Sequence, residues 1–288
     1  MITINNLFKN KNITCTEKAG AFSVYEYKCD ISNRPDSAIS EYFMSKMNVR
    51  RKQLFCDLNV SSVRLQAGAM QWMAGDVSSE TGLGSGAAAV KGFLKGAVKG
   101  LVTGESAVKP LYSGKGHVML EPTYEYILLE DVSSWGPSGI VVEDGMFLAC
   151  ESSVEEKVVA QKDMSAILAG GEGIFNLSLK GKGVAAFESY VPREDIIEFE
   201  LKDDVLKIDG SMAIAWSGSL EFTVERSSKT LIGSLVNKEG LLNVYRGSGK
   251  VWMAPTVPGT EMSKADAPKN PAENKGLLGA LVGLAKQN

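Results

Sequence analysis

The sequence predicts an all-β domain of repeated short strands, and three observations predict it. Landmarks recur at a fixed interval, Asp-Gly turn signals stand between runs of strand formers, and no sustained 3.6-residue period appears between Tyr112 and Val257. A fixed long period marks a duplicated structural unit.

In the first copy Gly104-Glu105 leads to Gly114-Lys115-Gly116, and in the second Gly171-Glu172 leads to Gly181-Lys182-Gly183. In the third, Lys238-Glu239 leads to Gly247-Ser248-Gly249 one residue sooner, an offset that a β-bulge absorbs. Glu105, Glu172 and Glu239 stand 67 residues apart in both steps. Asp144-Gly145 within Ile140 to Leu148 parallels Asp209-Gly210 within Val205 to Ala213, and Ser153-Val154-Glu155 parallels Ser219-Leu220-Glu221. Both Asp-Gly pairs are expected at hairpin tips, because a type I′ turn needs positive φ at its two central residues. Ahead of the first copy, Leu54, Cys56, Leu58 and Val60 alternate as in a half-buried strand. The third copy stops soon after Trp252. Strands from residues 20–81 are therefore expected to supply its missing half and close the first part of the chain onto the last, which removes exposed edges. The expected domain spans residues 16–258.

Of the 288 residues, 44% are apolar and 23% charged, enough for a sizeable core. Basic and acidic residues number 31 and 34, a net charge of −3, whereas nucleic-acid binders carry a basic excess. The cysteines, Cys15, Cys29, Cys56 and Cys150, form no Cys-x-x-Cys pair and read as reduced thiols. Met1 to Ile13 lacks the apolar stretch of a secretory signal, and no apolar run reaches the ~18 residues of a spanning helix. The expected location is the cytoplasm.

Catalytic constellations fail one by one. The single histidine, His117, has Val184 and Lys250 as its repeat equivalents, so the imidazole is not a property of the repeat. No Gly-x-Ser-x-Gly elbow gives it a nucleophile, and a structural role is expected. Gly114-Lys115, Gly181-Lys182 and Gly249-Lys250 lack P-loop spacing and the following Ser or Thr. Catalytic, cofactor and metal sites are therefore expected to be absent, and the chain is expected not to be an enzyme. Arg50-Arg51-Lys52 with Phe55 is the sole candidate for RNA, one cluster in an acidic protein, and nucleic acid is not an expected partner.

Two segments break the β pattern. In residues 82–107, Gly84, Ala88, Gly92, Gly96, Gly100 and Gly104 recur every four residues. As a helix over residues 87–103 they form a glycine-zipper ridge beside a basic row, Lys91, Lys95 and Lys99, and an apolar face that includes Phe93 and Leu94. Such ridges permit close helix approach, and a basic amphipathic helix suits an anionic membrane surface. A flexible loop is the other reading, since each interior Gly costs about 0.8–1 kcal/mol relative to Ala in a helix. Residues 259–275 form a Pro/Ala/Lys/Asn linker. The tail, residues 276–288, repeats the theme with Gly279 and Gly283 beside Leu277, Leu278 and Leu281.

Val63-x-Leu65-x-Ala67-Gly68-Ala69-Met70, the Gly-rich segment, Gly104-Glu105, the repeated Gly-x-Gly elements and the tail Gly276-Leu277-Leu278-Gly279 resemble the altered-inheritance-of-mitochondria family, also known as a bacterial domain of unknown function. The resemblance covers residues 20 to 255. It implies a tryptophan-RNA-binding-attenuator-like β-sandwich with internal pseudo-threefold repetition, no enzyme activity, and no catalytic or ligand motif to carry over. The lack of an Arg-rich presequence favours a bacterial-type member. The expected function is a non-catalytic, self-associating scaffold or interaction protein. Its subunit contact, or a peripheral contact with a membrane surface, is expected through Lys91 to Gly100 and the tail. The alternative is a small-ligand or RNA-binding module that uses a concave face of the sandwich.

Overall fold

Short runs of β-branched and aromatic residues, broken by glycine, become strands throughout. The computed structural model describes residues 2–28, 34–81, 109–160, 175–209, 212–226 and 241–256. Met1–Pro255 forms one compact unit and Thr256–Asn288 another; the elements below belong to the first. The Gly-rich segment 82–107 and the tail lie outside the described residues, as does Lys91 to Gly100 of the expected contact.

The chain enters through a hairpin, β1 (Ile13–Ala19) and β2 (Phe22–Tyr27), followed by a short helix, α1 (Ala38–Lys46). Three repeats follow. The first holds β3 (Lys52–Asp57), β4 (Val63–Leu65), β5 (Met70–Glu80) and β6 (Leu111–Leu120). In the second, β7 (Tyr126–Asp131) and β8 (Ile140–Val142) lead into β9 (Phe147–Glu151), β10 (Val154–Ala160), β11 (Phe175–Gly181) and β12 (Val184–Ser189). The third holds β13 (Ile197–Asp209), β14 (Ala213–Ser217), β15 (Glu221–Arg226) and β16 (Leu241–Met253). The Gly-x-Gly element lies within β6 and β16 and at the junction of β11 and β12. Its first glycine takes nearly the same left-handed φ in all three copies: +119° at Gly114, +115° at Gly181 and +114° at Gly247. An L side chain rarely adopts that conformation, so the recurring glycine is a backbone requirement of the repeat.

Pairing repeats with it. Asp57 lies opposite His117, Asp131 opposite Val184, and Glu200 opposite Lys250. The strand before each Gly-rich ladder skips one residue at the same place: Met70/Trp72, Phe147/Ala149 and Ala213/Ala215. This shared bulge is the structural counterpart of the 67-residue register.

The strands form a nine-stranded sheet, ordered β1-β2-β3-β6-β4-β9-β12-β7 with β5 on β6, and a seven-stranded sheet, ordered β10-β11-β8-β14-β16-β13 with β15 on β16. The all-β expectation holds. Phe22, Leu54, Val63, Leu65, Tyr112 and Leu120 gather on the inner side of the first sheet. A second core, with Trp135, Ile140, Phe147, Phe187 and Trp252, packs the two sheets together. Each fully buried side chain of this size stabilises by roughly 1.5–3 kcal/mol relative to exposure.

Two expectations are corrected. Asp144-Gly145 is not a hairpin tip: it joins β8 of one sheet to β9 of the other, because both strands take partners from other repeats or elsewhere in their own. Asp209 ends β13, and Gly210 lies outside the described residues. The strands of residues 20–81 do supply the first repeat, but β3, β4 and β5 pair with β6 instead of β16, so among the described residues no ladder closes the ring.

Candidate functional site

The nine-stranded sheet curls until its edge strands β1 and β7 lie side by side. No backbone ladder joins them among the described residues; side chains do. Leu129 of β7 turns its N–H and C=O toward the seam. The Glu17 carboxylate accepts from the N–H, and Arg193 Nη2 donates to the carbonyl at 2.8 Å. Arg193 Nη1 also holds Glu130 at 3.1 Å, and its guanidinium lies 5.1 Å from the Trp252 ring centre. Burial raises the pKa of both Glu17 and Glu130, and the Arg193 charge pulls each back down. Glu17 thus reaches across the unzipped edge, and Arg193 holds the β7 side of it and supplies the charge opposite Glu17.

Above the seam a cleft of about 450 Å³ opens, lined by Thr16, Glu17, Val24, Glu26, Asn48, Lys52, Tyr126, Ile127, Leu128, Pro192, Arg193 and Glu194. That volume lies within the range of small-ligand sites. Lys52 starts β3 opposite Glu26. Its ammonium is buried, donates to the Arg50 carbonyl at 3.0 Å and sits 4.2 Å from the Tyr126 ring centre. Burial lowers its pKa, opposed by Glu26 and Glu125. Burial raises the Tyr126 pKa, and the negative charges of Asp195, Glu26, Glu194 and Glu125 raise it further. Asn48 reaches the rim through a left-handed turn, φ +62°, a conformation that Asn tolerates. Among the described residues, Glu26 and Glu194 take part in no ion pair within 4 Å. The walls thus combine apolar strand residues, one aromatic ring, the carboxylates of Glu26 and Glu194, and the cations Lys52 and Arg193.

The chain matches the family profile described as mitochondrial biogenesis AIM24 over residues 45–256. It belongs to the AIM24 family. An uncharacterized protein of Streptococcus pyogenes serotype M6 is 28% identical over 197 residues, spanning 67% of this chain and 76% of that one. A Streptococcus pyogenes protein of known crystal structure matches with a TM-score of 0.52 at 23% identity, over 75% of this chain and 93% of that one. At that identity the likeness shows the fold. The family resemblance read from the residues is confirmed.

The AIM24 fold places the sequence candidates apart. His117 lies with its Nδ1 3.5 Å from Asp57 Oδ1 and its ring 5.0 Å from Phe55, beside a cavity of about 230 Å³ lined by Ile2, Ile4, Phe8, Ala74, Gly75 and Gly116. The basic cluster is dispersed: Arg50 donates to the Lys28 carbonyl, Arg51 pairs with Tyr124 and Glu41, and Lys52 turns into the cleft. Among the described residues no group of three or more His, Cys, Asp or Glu side chains is placed to hold a metal, and no helix is long and apolar enough to cross a membrane. Lys91, Gly92, Phe93, Leu94, Lys95, Gly96, Lys99, Gly100, Leu277, Leu278 and Leu281 lie outside the described residues. Sequence reasoning missed the cleft. The available signal was alternation across Ile13 to Ala19, which places Glu17 on a strand face.

Proposed function

We propose that this AIM24 chain is a non-catalytic binding module whose seam cleft takes a small organic cation, an amine in the first instance. The observation that carries the reading is Tyr126 set among Glu26, Glu125, Glu194 and Asp195 at a cleft of about 450 Å³. Carboxylates attract a cation, Asn48 and Thr16 offer hydrogen-bond acceptors, and Val24, Ile127 and Pro192 give an alkyl chain apolar wall. Lys52, a buried cation of the cleft, lies against the same ring. This deepens the ligand-binding alternative expected from the sequence. A self-associating scaffold, the first expectation, has support from a separate observation, the open junction of the third repeat.

Isothermal titration with ethylamine and putrescine tests the reading. One saturable site is expected, weakened at least tenfold by Glu26→Gln with Glu194→Gln. Absence of binding, or saturable binding of inorganic phosphate in place of the amines, would overturn it.

A further inference from the structure

Among the described residues the three repeats make two junctions of one kind and leave the third unmade. At the first, β4 pairs with β9: Val63 with Glu151, Arg64 with Cys150, Leu65 with Ala149. At the second, β8 pairs with β14: Ile140 with Ser217, Val141 with Trp216, Val142 with Ala215. Equivalent residues follow from the glycines. Val63, Ile140 and Leu206 lie opposite Tyr112, Leu179 and Tyr245, each two positions before the first glycine. Met73, Cys150 and Trp216 lie opposite Val118, Ala185 and Val251, each two positions after the second. By the same rule a third junction pairs Leu206 with Ala74, Lys207 with Met73, and Ile208 with Trp72. Among the described residues β13 pairs only with β16 and β5 only with β6.

Burial agrees. Met73 is 47% exposed, whereas its counterparts Cys150 and Trp216 are 0% and 4%. Leu206 is half-buried, whereas its counterparts Val63 and Ile140 are both 0% exposed. A charged residue on a strand edge often blocks pairing, but Arg64 holds the same position as Lys207 within a made junction. There it donates across to the carbonyls of Ser152 at 3.0 Å and Val154 at 3.3 Å. The counterparts of those two carbonyls in β5 are Gly75 and Val77.

We propose that a second copy of this chain closes the junction, β13 of one copy adding to β5 of the next. The occupant is chosen by register: each edge carries the partner pattern that this chain pairs twice within itself. The contact is heterologous, so it builds a ring or a filament and not an isologous dimer. Strand addition alone buries less than the roughly 1,200–2,000 Å² of a stable interface, so the association depends on concentration.

Directly opposed antiparallel residues lie within disulfide reach. Met73→Cys in an affinity-tagged chain and Lys207→Cys in an untagged one, both with Cys15→Ser and Cys29→Ser, are mixed and oxidised. The expected product is a disulfide-linked heterodimer joining positions 73 and 207, formed at least tenfold faster than with Ser78→Cys in place of Met73→Cys. Sedimentation velocity of the otherwise unaltered chain should show a concentration-dependent rise that Met73→Glu shifts at least tenfold upward in concentration, with an unchanged circular dichroism spectrum. A chain carrying both cysteines that links only within itself at every concentration would overturn the proposal. So would absence of linkage, or a monomer throughout the sedimentation series.

Discussion

Replacing Arg193 by Ala weakens the β7 side of the seam and removes the charge opposite Glu17. The guanidinium makes a 2.8 Å hydrogen bond to the Leu129 carbonyl, a 3.1 Å contact with Glu130 and a cation–π contact with Trp252. A charged hydrogen bond contributes about 1.5–3 kcal/mol and a cation–π contact about 0.5–1 kcal/mol at an exposed site. The Arg193 side chain is 39% exposed, so solvent screening reduces the ionic part, and a loss of about 2 kcal/mol at pH 7 is expected. The loss should depend on pH in a definite direction. Glu17 and Glu130 have folded pKa values raised by burial and held back by Arg193. Without the cation both rise further, so the folded variant binds protons more tightly than the unfolded chain and loses stability as pH rises through the carboxyl range. Urea unfolding followed by tryptophan fluorescence should give a larger penalty at pH 8 than at pH 4.5. A penalty below about 0.5 kcal/mol, or one equal at both pH values, would refute this role of Arg193.

Glu143 carries a second pH effect: burial, with Asp144 beside it, pushes its pKa up to about 7 from 4.5. Its contribution to wild-type stability is therefore full below the unfolded value and lost as pH climbs through 7; Glu143→Gln should match wild type near pH 4.5 and exceed it by about 2 kcal/mol at pH 8 in the same assay. Gly183→Ala would bring a Cβ 2.6 Å from Ser153 Oγ and 2.9 Å from Glu151 Oε2, displacing the buried carboxylate that accepts from the Ala21 and Val184 amides at 2.9 Å. A loss above about 2 kcal/mol is expected, against about 1 kcal/mol for Gly145→Ala, where the left-handed φ is the only obstacle. Calorimetric melting of the pair checks the order. Phe187→Ala, fully buried between the sheets, should cost about 3–5 kcal/mol.

The repeat was legible because its requirement is local. A left-handed glycine leaves the same letter wherever the bulged ladder recurs, and Gly114, Gly181 and Gly247 show it directly. Which strand each copy pairs with was not legible, since Asp144-Gly145 looks the same in a hairpin as in a corner between two sheets. The cleft was invisible for a related reason. Glu17, Glu26, Lys52, Tyr126 and Glu194 come from the entry hairpin and two repeats, and only closure of the sheet brings them together. Helix α1 carries Ile39, Tyr42 and Phe43, with Met47 just past its end, all exposed, and so no buried apolar stripe marked it in the sequence.

Mapping amide chemical shifts of the full chain during titration with putrescine tests the seam cleft as a binding site for an organic cation. Saturable shifts confined to the residues around Glu26, Asn48, Tyr126 and Glu194 are expected. Saturable shifts centred elsewhere, or none at all, would contradict it.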